Sequence, residues 1–219
     1  MNNKLESYMI NKITDKGFKF SSIVNNVLKE SLSRLAYHFT SLKKFYQMVD
    51  SDSIIFSTAH GTDELINADY GRGAPYYLST TRVRDGRFGY SSGLNTRIEL
   101  NSDFFNSRFH SGPVNFFVPD ERERNYHSKQ NVGKAENEDR IFSNVKVLEG
   151  LSKCINRVDI YLNIPNEELP LFKQRYYDIY LMLRDIYNTG IGLKTFIYND
   201  EKEFNRQGKN ITEIILKML

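Results

Sequence analysis

The chain has 219 residues, of which 40% are hydrophobic and 26% are charged, and this excludes a wholly disordered protein and a coiled-coil rod. It holds 30 Lys and Arg against 27 Asp and Glu, so the net charge of +3 permits an anionic partner without indicating one. The single cysteine, Cys154, excludes an internal disulfide and a cysteine-rich zinc site.

The hydropathy pattern and the polar start of the chain predict a cytoplasmic protein. No apolar run approaches the roughly 18 residues that a membrane-spanning helix needs, so we expect no membrane partner. The first residues, Met1-Asn-Asn-Lys-Leu-Glu-Ser7, lack the apolar segment of a signal peptide. A lone cysteine is also typical of a reducing compartment.

The first patterned segments predict a helix followed by a short strand. Apolar residues recur at three- and four-residue steps over 21–35, which is the spacing of a helix. The period then changes to two, which predicts a strand with Tyr37 and Phe39 on a large apolar face and His38 on the smaller face. Thr40 or Ser41 can cap the helix that comes next.

The remaining elements are short, and no internal repeat is present. A polar segment over 119–135 separates them into two groups, and loops of this length are often functional. The predicted elements are a helix with its apolar stripe at Leu42, Phe45, Tyr46 and Val49, strands over 53–58, 75–82 and 96–100, a helical turn after Asn101, a strand at Val114, Phe116 and Val118, a strand over 157–162, a helix over 167–187, a strand over 194–198, and a closing helix at Ile211, Ile214, Ile215 and Met218.

Helices thus flank a block of short strands without a regular βαβ alternation, which predicts an α+β fold. We expect one domain over 1–219, with a lead-in over 1–20 and a helical extension over 163–219. Phosphate-binding glycine loops and the common hydrolase motifs are absent from the sequence. The four histidines have no paired spacing for a metal, so no metal site is predicted.

Three segments carry the candidate chemistry. Tyr37-His-Phe-Thr-Ser41 is a strand with a histidine, Tyr76-Tyr-Leu-Ser-Thr-Thr-Arg82 is a strand that ends in hydroxyls and a cation, and Glu136-Asn-Glu-Asp-Arg140 is a carboxylate cluster. Their order and spacing resemble the ADP-ribosyltransferase superfamily, in its diverged phage and toxin–antitoxin branch with a histidine in the first motif. The resemblance covers about 32–162.

The resemblance implies a split core of two small sheets whose cleft binds NAD as a substrate, and transfer of ADP-ribose to a protein or nucleic acid. If a phage encodes the chain, the location is the host cytoplasm. Glu138 would be the catalytic carboxylate beside an oxocarbenium-like transition state, and Glu136 would engage the acceptor. His38 would donate a hydrogen bond to a ribose hydroxyl or phosphate. The residues expected to contact NAD are His38, Thr40, Tyr77, Ser79, Thr80 and Arg82.

Several alternatives stay open at this point. The combination of His38 with Ser79-Thr-Thr81 mixes two branches of the family, so the acceptor is not determined, and Asp139 is an alternative carboxylate. An RNA 2′-phosphotransferase-like enzyme would instead use Arg82, Arg84, Arg87 and Arg97 to hold phosphates. A non-enzymatic binding module, associated with a phage or virion, is the third hypothesis. Taken singly, the segments also fit a packed histidine, ordinary strand residues and a solvated charged edge.

Overall fold

The computed structural model describes residues 36–61, 63–64, 67–68, 71–81, 94–114 and 138–219, and these contain ten strands and seven α-helices. The strands are β1 (Tyr37–Thr40), β2 (Ser53–Ile55), β3 (Ser57–Thr58), β4 (Tyr76–Thr80), β5 (Thr96–Leu100), β6 (His110–Val114), β7 (Glu138–Ser143), β8 (Val147–Glu149), β9 (Ile155–Tyr161) and β10 (Thr195–Tyr198). The helices are α1 (Leu42–Asp50), α2 (Ser102–Asn106), α3 (Leu151–Cys154), α4 (Phe172–Arg175), α5 (Tyr177–Tyr187), α6 (Glu201–Arg206) and α7 (Thr212–Leu216). This mixture of helices and several small sheets agrees with the predicted α+β class.

The strands form two four-stranded sheets and one small sheet. Sheet 1 has the order β1-β5-β9-β10, sheet 2 has the order β3-β4-β7-β6, and β2 pairs with β8. All pairs are antiparallel except β9 with β10. Sheets 1 and 2 meet at a bridge between Tyr37 and Thr81, where each backbone N–H donates to the other residue's carbonyl, at 2.8 and 2.9 Å. The bridge places β1 beside the end of β4.

The main hydrophobic core lies on the His38 side of β1. His38 pairs across the sheet with Ile98, a fully buried member of the main core, and cross-strand partners share a face. Tyr37 and Phe39 lie on the opposite face, as predicted, and pack with Tyr198 and Phe204 in a smaller cluster. The sequence therefore predicts correctly which residues of β1 share a face. The face with the larger side chains, however, packs in the smaller of the two hydrophobic clusters.

Local signals account well for the helices next to β1 and β5. Helix α1 buries Leu42, Phe45 and Val49, and the Ser41 hydroxyl accepts a hydrogen bond from the Lys44 N–H at 3.3 Å. Its predicted stripe and cap are thus confirmed. The turn after Asn101 is helix α2.

Two elements that the sequence predicts as continuous are divided into shorter ones in the structure. The strand over 53–58 is two strands, because β2 pairs with β8 whereas β3 pairs with β4 of sheet 2. The helix over 167–187 is a 3-10 helix (Asn166–Leu171) followed by α4 and α5. Pro170 lacks the N–H that an α-helix uses, and Tyr176 has non-helical dihedrals, φ −123° and ψ 44°. Each of these residues interrupts the helix.

The C-terminal segment takes part in the sheet that carries His38. Strand β10 is the outer strand of sheet 1, where Ile197 pairs with Ile160. Ile197, Ile211 and Ile215 all belong to the main core. The predicted extension over 163–219 is therefore helical apart from β10, and it completes sheet 1.

Some predictions fall outside the part of the chain that the structure describes. These are the lead-in over 1–20, the helix over 21–35, Phe116 and Val118 of the strand now seen as β6, and the loop over 119–135. Among the described helices, none has the length and apolar character that crossing a membrane requires.

Gly192 packs against the preceding helix with no space for a side chain. A Cβ there would lie 2.6 Å from the Tyr187 Cα and 2.9 Å from its carbonyl oxygen, whereas a Cβ on Gly190 meets nothing within 4 Å. We expect Gly192→Ala to lower the free energy of unfolding by about 1–3 kcal/mol, because backbone must move. Gly190→Ala should change it by less than about 1 kcal/mol. Urea denaturation measures both, and equal midpoints would contradict the prediction.

Candidate functional site

A cleft of about 470 Å³ lies where β1, α1 and the strands β2 to β4 meet. Its volume falls within the range of roughly 300–1,000 Å³ that small-molecule sites occupy. Three of the predicted NAD-contacting residues, His38, Thr40 and Ser79, line it. The other lining residues are Phe39, Lys44, Gln47, Met48, Ser51, Ile54, Ile55, Ser57, Leu78 and Leu94.

A hydrogen bond joins His38 of sheet 1 to Ser79 of sheet 2. The distance from His38 Nδ1 to the Ser79 carbonyl oxygen is 2.8 Å. Because a carbonyl only accepts, Nδ1 carries the hydrogen, and in the neutral ring Nε2 then presents a lone pair. The bond fixes the orientation of the imidazole on the cleft wall.

The environment of His38 favours the neutral ring. Burial lowers the pKa of His38 from its ordinary value, the hydrogen bond to Ser79 opposes this, and the charge of Lys44 lowers the pKa further. A neutral imidazole whose Nδ1–H is already used accepts a hydrogen bond at Nε2. The structure thus favours an acceptor role toward a ligand hydroxyl, in place of the donor role expected from the sequence.

The strands of the three candidate segments are neighbours. β1 is bridged to the end of β4, and β4 pairs with β7 so that Ser79 lies opposite Arg140 and Thr80 opposite Asp139. Glu138 is the first residue of β7. Two of the predicted site residues, Arg82 and Glu136, lie outside the described residues.

Tyr77 lies away from the cleft lining. The Arg140 guanidinium lies over its ring at 3.8 Å from the centroid, and its hydroxyl donates to Asp63 Oδ2 at 3.0 Å. Arg140 is fully buried and also donates to Asp63 Oδ1 at 2.7 Å and to Asn67 Oδ1 at 3.3 Å. These contacts attach Asp63 and Asn67 to sheet 2. Stacking of Tyr77 on nicotinamide stays a prediction, and Thr80 is buried.

Helix α1 and its C-cap residue supply four lining residues that the sequence interpretation missed. They are Lys44, Gln47, Met48 and Ser51. The last three follow Lys44 by three, four and seven positions, so all four lie on one side of the helix. This face borders the apolar stripe that the sequence revealed. A mixed polar face of this kind is typical of solvent exposure, and only the packing of α1 beside β1 shows that it lines a cleft.

Arg97 takes no part in this site. It is fully buried, pairs with Asp159 at 2.8 Å and donates to the Phe204 carbonyl at 2.7 Å. It lies opposite Phe39 in the sheet, on the face turned away from His38. The RNA 2′-phosphotransferase-like hypothesis counts Arg97 among four possible phosphate ligands, and its burial in an ion pair with Asp159 makes it unsuited to that role. The other arginines of that hypothesis lie outside the described residues.

The described lining residues carry one ammonium and one imidazole and no carboxylate. Within the described part of the chain, no group of three or more His, Cys, Asp and Glu residues could hold a metal ion. The net charge of the described lining residues is therefore positive, because Lys44 is cationic and the neutral form of His38 is favoured.

No family model, curated protein or solved structure matches this chain.

The lowered pKa of His38 predicts a specific loss of stability in mild acid. Below its ordinary pKa near 6.5 the unfolded chain binds a proton at this residue more readily than the folded chain does. The free energy of unfolding should therefore fall as the pH drops from 7.5 to 5, and His38→Gln should make this fall shallower. His60→Gln, at an exposed position, is the control and should keep the wild-type slope. Denaturant titrations at both pH values measure the slopes, and an unchanged slope for His38→Gln would refute the assignment.

Proposed function

We propose that this protein is an NAD-dependent ADP-ribosyltransferase that binds NAD in the cleft between its two main sheets. The proposal is supported above all by the hydrogen bond of 2.8 Å from His38 Nδ1 to the Ser79 carbonyl. Together with the pairing of β4 and β7, this bond brings together the strands of three segments that are far apart in the sequence. The same three segments carry the resemblance to the transferase superfamily.

The proposed reaction breaks the bond between the nicotinamide nitrogen and C1′ of its ribose. The electron pair of that bond leaves with nicotinamide, and positive charge develops on the ribose as in glycoside cleavage. A nucleophile of the acceptor then bonds to C1′ and loses a proton. Glu138 is assigned the role of stabilising the developing charge, because a preorganised carboxylate lowers the barrier most when it acts at that point.

His38 and Ser79 are assigned to the ribose. The neutral imidazole can accept a hydrogen bond from a ribose hydroxyl at Nε2, and the Ser79 hydroxyl can donate or accept one. Met48, Ile55 and Leu94, which line the cleft and are not buried, supply apolar surface against which a nicotinamide or adenine ring can pack. Glu136 and the 119–135 segment are assigned to acceptor recognition by the family resemblance alone.

A non-enzymatic binding module is the second candidate, and one observation favours it. The described residues that line the cleft include no Asp or Glu. In that case the cleft would hold a nucleotide without cleaving it, and the acid at the start of β7 would have no role in chemistry.

Incubation of the full chain with radiolabelled NAD distinguishes the two candidates. The transferase should release nicotinamide and transfer label to an acceptor in a lysate, or to added DNA or RNA. A binding module should bind NAD in equilibrium dialysis and leave it intact. Absence of both binding and nicotinamide release at high protein concentration would overturn the proposed function.

A further inference from the structure

Lys44 occupies a fixed position at the start of α1, beside His38. β1 ends at Thr40, Ser41 caps α1, and the Ser41 hydroxyl accepts a hydrogen bond from the Lys44 N–H at 3.3 Å. Only three residues separate Lys44 from the end of β1, which is hydrogen-bonded to β5 in sheet 1. The position of its Cα relative to the cleft wall is therefore set by backbone structure, and only the flexible side chain adapts to a ligand.

The ammonium of Lys44 is available for a ligand. The residue is exposed and lines the cleft, and its side chain forms no ion pair with any described residue. It is close enough to His38 for its charge to act on the imidazole. The neighbouring Lys43 is also exposed but does not line the cleft.

The charge balance of the cleft selects an anionic ligand. Lys44 is the single Lys or Arg among the described lining residues, and no described carboxylate neutralises it there. A neutral ligand would fill the cleft without pairing this charge, whereas a phosphate oxygen would form a charge-assisted hydrogen bond with it. Gln47, one turn further along α1, also lines the cleft, and its side-chain amide can donate to a further phosphate oxygen.

We propose that Lys44 is the phosphate-binding residue of the cleft and pairs with the diphosphate of NAD. Lys44 thereby makes the cleft specific for phosphorylated nucleotides over nucleosides. The identity of the ligand as NAD rests on the proposed function, whereas the preference for a phosphate rests on the charge of the cleft.

Binding of ADP-ribose and of adenosine to the full chain tests this assignment by calorimetry. Lys44→Gln should weaken ADP-ribose binding about 10- to 100-fold, the loss expected when one hydrogen bond between charged groups is removed. Lys43→Gln is the matched control and should bind ADP-ribose within about twofold of wild type, since exposed charges outside a site contribute little. Lys44→Arg keeps the charge and should retain most of the affinity. Adenosine has no phosphate, so its binding should be equally weak in wild type and Lys44→Gln.

The outcomes separate this inference from the proposed function. If Lys44→Gln weakens ADP-ribose binding but the wild type releases no nicotinamide from NAD, the phosphate site stands and the transferase activity is refuted. If the wild type transfers ADP-ribose and Lys44→Gln binds ADP-ribose as Lys43→Gln does, the assignment of Lys44 is overturned. It is also overturned if wild type binds adenosine as tightly as ADP-ribose.

Discussion

Replacing Glu138 with glutamine is expected to slow nicotinamide release from NAD by about 100- to 1,000-fold, the range seen when one preorganised electrostatic group is removed from an active site. Glutamine keeps the size of the side chain and removes the negative charge that would stabilise the ribose cation. The loss should appear in kcat, with the KM for NAD nearly unchanged, because the charge develops only in the transition state. Release of nicotinamide and transfer of label, measured in the same samples, give both constants.

Two controls make the Glu138 result specific. Asp139→Asn removes the adjacent carboxylate; the backbone of Asp139 lies opposite Thr80 in the register of β4 and β7. Glu149→Gln removes an exposed carboxylate from β8 and should leave the rate unchanged. If Asp139→Asn loses activity and Glu138→Gln keeps it, the catalytic acid is Asp139. Wild-type rates in both variants would eliminate the carboxylates of β7 from the mechanism.

The largest loss of stability is expected from Asp159→Ala, about 3–5 kcal/mol, which is typical when one partner of a buried ion pair is removed. Asp159 Oδ2 accepts from Arg97 Nη2 at 2.8 Å and from Gln207 Nε2 at 2.9 Å, and its Oδ1 accepts from Arg157 Nε at 2.8 Å. The side chains of Arg97 and Asp159 are 0% and 1% exposed. The substitution removes from the buried Arg97 guanidinium the negative charge that lies 2.8 Å from it.

Arg175→Ala is the control for the stability measurement. It breaks an ion pair with Glu168 at 2.9 Å, in which the two side chains are 51% and 28% exposed. Solvent screens such a pair, so the expected cost is below about 1 kcal/mol. Urea denaturation followed by circular dichroism gives both values. The burial argument is wrong if Asp159→Ala costs no more than Arg175→Ala.

Local patterns in the sequence were enough to predict the elements around the cleft. Alternation predicted both faces of β1, and the spacing of Leu42, Phe45 and Val49 predicted α1. Its cap was expected at Thr40 or Ser41, and it is Ser41. These signals are local because strand pleating and helix capping depend on residues at most a few positions apart. The break at Pro170 was also visible in the sequence, but the long apolar stripe favoured one continuous helix.

Long-range contacts could not be predicted in the same way. Among the described residues, Arg97 and Arg140 are the largest fully buried side chains, although charged residues normally indicate a surface. Their partners Asp159 and Asp63 lie 62 and 77 positions away in the sequence, so no local pattern connects them. The proximity of His38 and Ser79 was expected only through the family resemblance. Lys44 was missed because its helix face is indistinguishable from a solvated one until α1 is placed.

The position of β10 at the outer edge of sheet 1 has a consequence for biosynthesis. β10 covers one edge of β9. Until residues 195–198 have left the ribosome, the backbone N–H and C=O groups on that edge of β9 have no strand to pair with. The sheet that holds the imidazole is therefore completed only after residues 195–198 have been synthesised. Nascent chains that stop earlier would expose an uncovered strand, and such edges recruit other chains.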